Sequence, residues 1–194
     1  MKAVLASANA GKVREFAQLL AARDIEVLPQ SAFGIAPPEE TGATFLDNAL
    51  LKARHAAGLS GLGALADDSG IEVDALGGSP GVRSARYAGE GASDADNLAL
   101  LLRELAGVPE LRRSARYRCV LVFLRHPADP DPVVANGVWE GRILSAPRGT
   151  GGFGYDPLFQ PEGLARSVAE LPAQQKNRLS HRGQALRALL AALT

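Results

Sequence analysis

Lys2-Ala3-Val4-Leu5-Ala6-Ser7-Ala8-Asn9-Ala10-Gly11-Lys12-Val13-Arg14-Glu15-Phe16-Ala17-Gln18-Leu19-Leu20 is the stretch that decides the fold class. Val4 and Leu5 lie in a brief apolar run that stops at small and polar residues. Val13, Phe16, Ala17 and Leu20 then recur at i, i+3, i+4 and i+7, the period of a helix with one buried face. Strand, small-residue loop and helix in that order open an α/β or mixed α+β sheet wrapped by helices. Ile25 to Leu28 reads as a second short strand ended by Pro29, and the aperiodic stretch to Thr41, with Pro37, Pro38, Glu39 and Glu40, reads as a surface loop. From Thr44 the pattern is helical again, with Leu46, Ala49, Leu50 and Ala53 on one face. Thr44, Asn48, Lys52 and His55 form a polar stripe able to face a cleft.

Farther along, Leu62 to Ala66 is an apolar strand that delivers Asp67-Asp68-Ser69-Gly70 to its end, one carboxylate expected inward and one outward; Ile71 to Val73 resumes an extended pattern. Gly77 to Gly81 is a loop by composition, and Ser93 is placed to cap a helix carrying Leu98, Leu101, Leu102 and Leu105. Ala115 to Leu124 alternates at first and then turns wholly apolar, as a central strand does. Val133 to Leu144 is a further strand, and Arg148 to Pro157 is too rich in glycine for regular structure. A last helix bears Leu186, Leu189, Leu190 and Leu193, with Ser180 as its cap.

The 194 residues balance 21 Lys plus Arg against 21 Asp plus Glu, so the broad basic surface of a general nucleic-acid or anionic-membrane binder is not expected. The 46% hydrophobic and 22% charged content excludes wholesale disorder. A lone Cys119 cannot close an internal disulfide, the first residues carry no leader pattern, and no apolar run approaches the roughly 18 residues of a membrane span. A cytoplasmic protein follows. With no repeat, low-complexity tract or separating linker, one domain over 1–194 is the expectation.

Glycine-rich and small-residue loops beside helices suggest a phosphate site, since backbone N–H groups at a helix N-terminus favour anions. Ser7 to Lys12 is not a Walker A motif, for Ala6 precedes it and Val13 follows it; an ordinary strand-to-helix turn accounts for it equally. Lys12 in the first helical turn favours an anion there, because alone it would oppose the macrodipole. Glu39-Glu40 and Asp67-Asp68 suit a hard divalent cation, Mg²⁺ first, with solvated acidic surface as the plain alternative. In Lys176-Asn177-Arg178-Leu179-Ser180-His181-Arg182-Gly183, the His181 ring and the Arg182 guanidinium suit a base edge, although such runs are also solvated faces. Phe153 and Tyr155 can stack on a base or plug the core. Cys119, His55, His126 and His181 lack zinc spacing, and no serine sits in a nucleophile elbow.

Taken together, Ser7 to Lys12, Glu40-Thr41-Gly42 with Phe45, Asn48-Ala49 and Lys52-Ala53, Ala66 to Gly70, Gly77 to Tyr87, Gly151 to Pro157 and Ser180-His181-Arg182 resemble the inosine/xanthosine triphosphate pyrophosphatase family, in order from residue 2 to about 192. The resemblance implies an elongated mixed sheet flanked by helices, with two lobes around a nucleotide-binding cleft. It implies a homodimeric, Mg²⁺-dependent enzyme that cuts ITP, dITP and XTP to the monophosphate and pyrophosphate. Ser7, Ala8, Asn9, Ala10, Gly11 and Lys12 match its triphosphate loop, Lys52 a further phosphate ligand, and Glu40 and Asp68 its metal site, Asp68 also its proton acceptor. Ser69, Phe153, Gly154, Tyr155, Asp156, Lys176, His181 and Arg182 match substrate-binding positions. Asp47 stands where members often have Glu, and Ser7 where Thr is common; both keep the chemical group. A non-catalytic nucleotide sensor and a pyrophosphatase for modified nucleotides are the rival readings.

Overall fold

The computed structural model describes residues 2–20 and 26–193. Strands β1 (Lys2–Leu5), β2 (Glu26–Pro29), β3 (Gly63–Val73), β4 (Ser114–Leu124), β5 (Val133–Ile143) and β6 (Phe159–Pro161) follow the order β2-β1-β3-β4-β5-β6. The helices are α1 (Ala10–Leu20), α2 (Phe45–Ser60), α3 (Asp94–Glu104), α4 (Ala173–Leu179) and α5 (His181–Ala192). β1 runs parallel to β2 and β3, whereas β5 and β6 are antiparallel, so the sheet is mixed, as expected. Ile25, offered as the start of the second strand, lies outside the described residues.

The chain forms two compact units, passing between them after Asp68, Arg118, Gly137 and His181, that is, inside β3, β4 and β5 and at the start of α5. In the unit that holds β1, strand alternation sorts side chains into two cores. Ala3, Leu5, Leu65, Leu121 and Phe123 pack with Phe16 and Leu20 of α1 and Leu186 and Leu189 of α5. Val4, Ala64, Ala66, Val122 and Leu124 pack with Ala49, Ala53, Ala56 and Ala57 of α2. The strands are therefore apolar on both faces, the pattern of a parallel sheet covered by helices on each side, and the small side chains of α2 let it lie close. Cys119 is buried in the first of these cores, where burial above all pushes its thiol up, so it serves packing.

The other unit gathers Ile71, Val73, Leu101, Leu105, Tyr117, Trp139, Ile143 and Phe159. Phe159 meets Tyr117 and Trp139 edge to face, with ring centroids 4.7 and 5.9 Å apart. Ser93 caps α3 as expected, in a capping box with Asp96.

Some expectations need correction. β3 is unbroken, so Asp67 and Asp68 sit in mid-strand instead of at a strand end. α1 begins at Ala10, which takes Gly11 into the helix and leaves Lys12 in its first turn, as expected; Asn9 Oδ1 accepts from the Lys12 N–H at 3.1 Å and caps it. Leu46 is 38% exposed, while Asn48 and Lys52 of the polar stripe are buried, because α2 turns that stripe toward β3 and its acids. α4 has no counterpart in the sequence reading; Ser180 ends it and, in extended conformation, stands directly before α5, the place expected of it.

Candidate functional site

Strand alternation sends the two mid-strand acids to opposite sides of β3. Both are buried, against the expectation of one in and one out. Asp67 turns to α1 and α5: its Oδ2 lies 2.9 Å from Lys12 Nζ and 3.5 Å from Arg182 Nε, and the Arg182 Nη1 donates to Glu15 Oε2 at 2.7 Å. Burial opposes the Asp67 charge, but Lys12, then Arg182 and Lys52, outweigh it and hold the carboxyl well below its ordinary 3.8. Burial likewise works against the Arg182 charge, and Glu15 and Asp67 more than offset it. The folded-state value of Asp67 lies below the unfolded one, so its contribution to stability is present above about pH 4 and lost on acidification below it. Urea midpoints measured from pH 7 down to about pH 3 should therefore fall less steeply for Asp67→Asn than for the parent.

Asp68 turns to α2. Lys52 Nζ donates to Asp68 Oδ1 and to Glu40 Oε1, each at 2.8 Å, and Asn48 Nδ2 donates to Asp68 Oδ2 at 3.3 Å. Asn48 Oδ1 accepts from the Gly42 N–H at 2.8 Å; a Cβ on Gly42 would come within 2.5 Å of that oxygen, so glycine is required for this approach. Burial, then the Glu40 charge, push the Asp68 carboxyl above its ordinary value against the pull of Lys52 and Lys12. Burial disfavours the Lys52 charge too, but Asp68, Asp67 and Glu40 outweigh it and Lys52 stays protonated. Glu39 is exposed, so only one member of that doublet enters the cluster. Among the described residues no group of three or more His, Cys, Asp or Glu side chains is placed to hold a metal ion. Glu40 and Asp68 nevertheless aim hard oxygens at one cationic point, a donor set that fits Mg²⁺ completed by phosphate oxygens and water.

In the second unit the glycine-rich loop wraps around one carboxylate. Asp156 Oδ2 accepts from the Phe153 N–H at 2.9 Å and from Lys176 Nζ at 2.6 Å, and Oδ1 accepts from the Tyr117 hydroxyl at 3.2 Å. Gly152 has φ +76°, and a Cβ there would lie 2.0 Å from Asp156 Oδ2, which fixes glycine at that place. The Lys176 ammonium sits 4.5 Å from the centroid of the half-buried Phe153 ring. The Gly154 N–H donates to Asp94 Oδ2 at 2.6 Å. Tyr155 is buried with its hydroxyl on the Ser84 carbonyl at 2.8 Å, which makes it the core plug rather than a stacking surface. His181 is buried against Tyr117, rings parallel within 8° and 4.6 Å apart. Ser69 is half-buried in β3.

Two groups thus flank β3, Lys12, Arg182 and Glu15 around Asp67 on one side and Glu40, Lys52 and Asn48 around Asp68 on the other, and a third, in the second unit, gathers Phe153, Asp156, Lys176 and His181. His181 and Arg182, read as one clamp, part company because consecutive helical residues point about 100° apart. Sequence reading missed Glu15, Tyr117 and the support that Asn48 gives Asp68. Glu15 follows Gly11 by one helical turn and Tyr117 lies on the inward period of β4, but charge and ring partners 39 to 167 residues away leave no local signal. No helix among the described residues is long and apolar enough to cross a membrane.

The model of the Ham1 family matches residues 3–192. A dITP/XTP pyrophosphatase of Methylococcus capsulatus is 59% identical over 99% of this chain and 96% of its own length. A dITP/XTP pyrophosphatase of Escherichia coli O157:H7 is 55% identical over 99% and 98%. The solved structure of a HAM1 protein from Coxiella burnetii, 47% identical, aligns over 100% of this chain and 98% of that one with a TM-score of 0.91. On sequence and on fold alike, this chain belongs to the Ham1 family.

Proposed function

We propose that this chain hydrolyses non-standard purine nucleoside triphosphates, dITP, ITP and XTP, to the monophosphate and pyrophosphate, and so cleanses the nucleotide pool. The observation that carries the reading is the convergence of Glu40 and Asp68 on the Lys52 ammonium. Relatives named dITP/XTP pyrophosphatases, at 54–59% identity over nearly full length, support the substrate class. Residues 1–194 act as one pyrophosphatase domain, in the cytoplasm and as a homodimer.

A nucleoside triphosphate brings about four negative charges, which must be offset before a nucleophile reaches phosphorus. Lys12 and Lys52 supply part of that offset, and the N–H groups of Ala8, Ala10 and Gly11, at the start of α1, supply oriented dipoles, while the Ser7 and Asn9 N–H groups donate to the Leu5 carbonyl and the Ser7 hydroxyl and shape the loop. Mg²⁺ held by Glu40 and Asp68 would neutralise phosphoryl oxygens as a Lewis acid. Water attacks the α-phosphorus, its proton passes to Asp68, and the Pα–O bond to the β-phosphate breaks to release pyrophosphate. A carboxyl pushed up by burial suits that proton transfer better than an ordinary one.

Phe153, with Ser69, Gly154, Asp156, Lys176 and His181, holds the purine, while Tyr155 braces the loop from below. Lys176 offers donors only, which match the C6 keto oxygen of inosine and xanthosine and oppose the amino group of adenosine. Arg182 supports Asp67 and, through it, Lys12 under the phosphates.

Pyrophosphate release from ITP, dITP, XTP, ATP, GTP and modified pyrimidine triphosphates, with and without Mg²⁺, tests the proposal. Binding without turnover would mark a sensor, and preference for a modified pyrimidine would mark the other enzyme. Phe153→Ala is expected to raise KM for ITP by roughly tenfold or more and to leave kcat nearly unchanged, since stacking contributes about 1–3 kcal/mol per base. An unchanged KM with a lowered melting temperature would make Phe153 a packing residue.

A further inference from the structure

We propose that Tyr117 is a positioning residue for nucleotide affinity: its hydroxyl and its ring together fix Asp156 and His181. The inference rests on the reading above that Phe153, Asp156, Lys176 and His181 hold the base. Tyr117 lies in β4 and is almost wholly buried. A buried hydroxyl adds little to packing and costs free energy unless it finds a partner. Here the partner is Asp156 Oδ1, at 3.2 Å. The other oxygen of that carboxylate accepts from the Phe153 N–H and from Lys176, so the tyrosine hydroxyl balances two donors that pull from the far side. Its ring lies parallel to the His181 imidazole at 4.6 Å and is braced edge-on by Phe159 at 4.7 Å. One side chain thereby sets two residues 25 positions apart in sequence. Without the hydroxyl, Asp156 is free to turn toward Phe153 and Lys176 and carry the stacking ring and its ammonium out of place.

Tyr117→Phe keeps the ring and removes only the hydroxyl; Tyr117→Leu removes both. Calorimetric binding of inosine 5′-monophosphate, steady-state kinetics on ITP and melting curves are read on each. For Tyr117→Phe, product affinity should fall and KM rise by about fivefold to tenfold, the net scale of one ordinary hydrogen bond, with kcat within about twofold of the parent. Tyr117→Leu should weaken binding by roughly a further threefold to tenfold through the lost ring pair. Should the leucine variant fail to fold, the phenylalanine variant decides alone. Parental affinity in a Tyr117→Phe protein of lowered melting temperature would overturn the proposal and leave Tyr117 to packing. Phe153→Ala run alongside separates the causes. If it weakens binding while Tyr117→Phe does not, only the role of Tyr117 falls; if neither variant weakens binding, the base-site reading fails and this proposal with it.

Discussion

Asp68→Asn is expected to fold like the parent and to lose ITP turnover by about 10²-fold or more. The amide keeps the shape of the carboxylate and can still accept from Lys52, yet it takes no proton and is a weak ligand for a hard cation. The sign of the stability effect follows from the same burial. A carboxyl held above its ordinary value costs stability when ionised, so the folded protein becomes less favoured as pH rises through that shifted value. The same substitution takes the foremost counter-charge from the buried Lys52 ammonium, so the two effects oppose each other and the melting temperature at pH 7 should stay near that of the parent. Lost turnover at nearly parental stability is the signature of a group kept for chemistry. Turnover within about threefold of the parent at saturating Mg²⁺ would remove Asp68 from the reaction.

Arg182→Ala should act on stability first. Its guanidinium is buried between Glu15 and Asp67, and removing one partner from a buried ionic cluster costs about 3–5 kcal/mol because the remaining charges lose their counterion. For a chain of this length that corresponds to a melting temperature lowered by roughly 10 °C. Arg182→Met combined with Glu15→Gln should recover part of the loss, since exchanging both charges for neutral groups leaves less uncompensated. Assayed below the melting range, Arg182→Ala should retain the ITP to ATP preference. A collapse of that ratio at unchanged stability would instead return Arg182 to the base edge.

Much of the fold was legible because it is written in short-range periodicity. The α1 face, the Ser93 cap and the two-sided burial late in β4 each depend on residues within a few positions of one another. Asp67 and Asp68 were visible as a pair, but their surroundings were not, since polar residues in mid-strand read as a strand end until their cations are known. Leu46 and Asn48 exchanged roles for the same reason: a stripe of Asn and Lys reads as solvent-facing unless buried acids await it. Tyr155 and Phe153 were equal candidates for stacking, and only the Ser84 carbonyl and the Lys176 ammonium, both distant in sequence, set them apart.

The mid-strand position of the acid pair makes this chain intolerant of small length changes just upstream. β1 pins β3 through Ala3 to Gly63, Val4 to Ala64 and Leu5 to Leu65, and the Ala6 N–H reaches the Leu65 carbonyl at 2.8 Å. Side chains alternate with a period of two, so removing one residue between Leu65 and Asp67 would swing every following side chain to the opposite face. Asp68 would then meet Lys12 and Arg182, and Ser69 would face Lys52 and Glu40. The acid raised by burial would become the acid neutralised by cations, and no carboxylate would stand in its place. Two-residue deletions restore the facing but draw the pair one pleat back, about 6–7 Å along the strand. Libraries of deletions across 63–68 should thus yield folded but inert proteins at best.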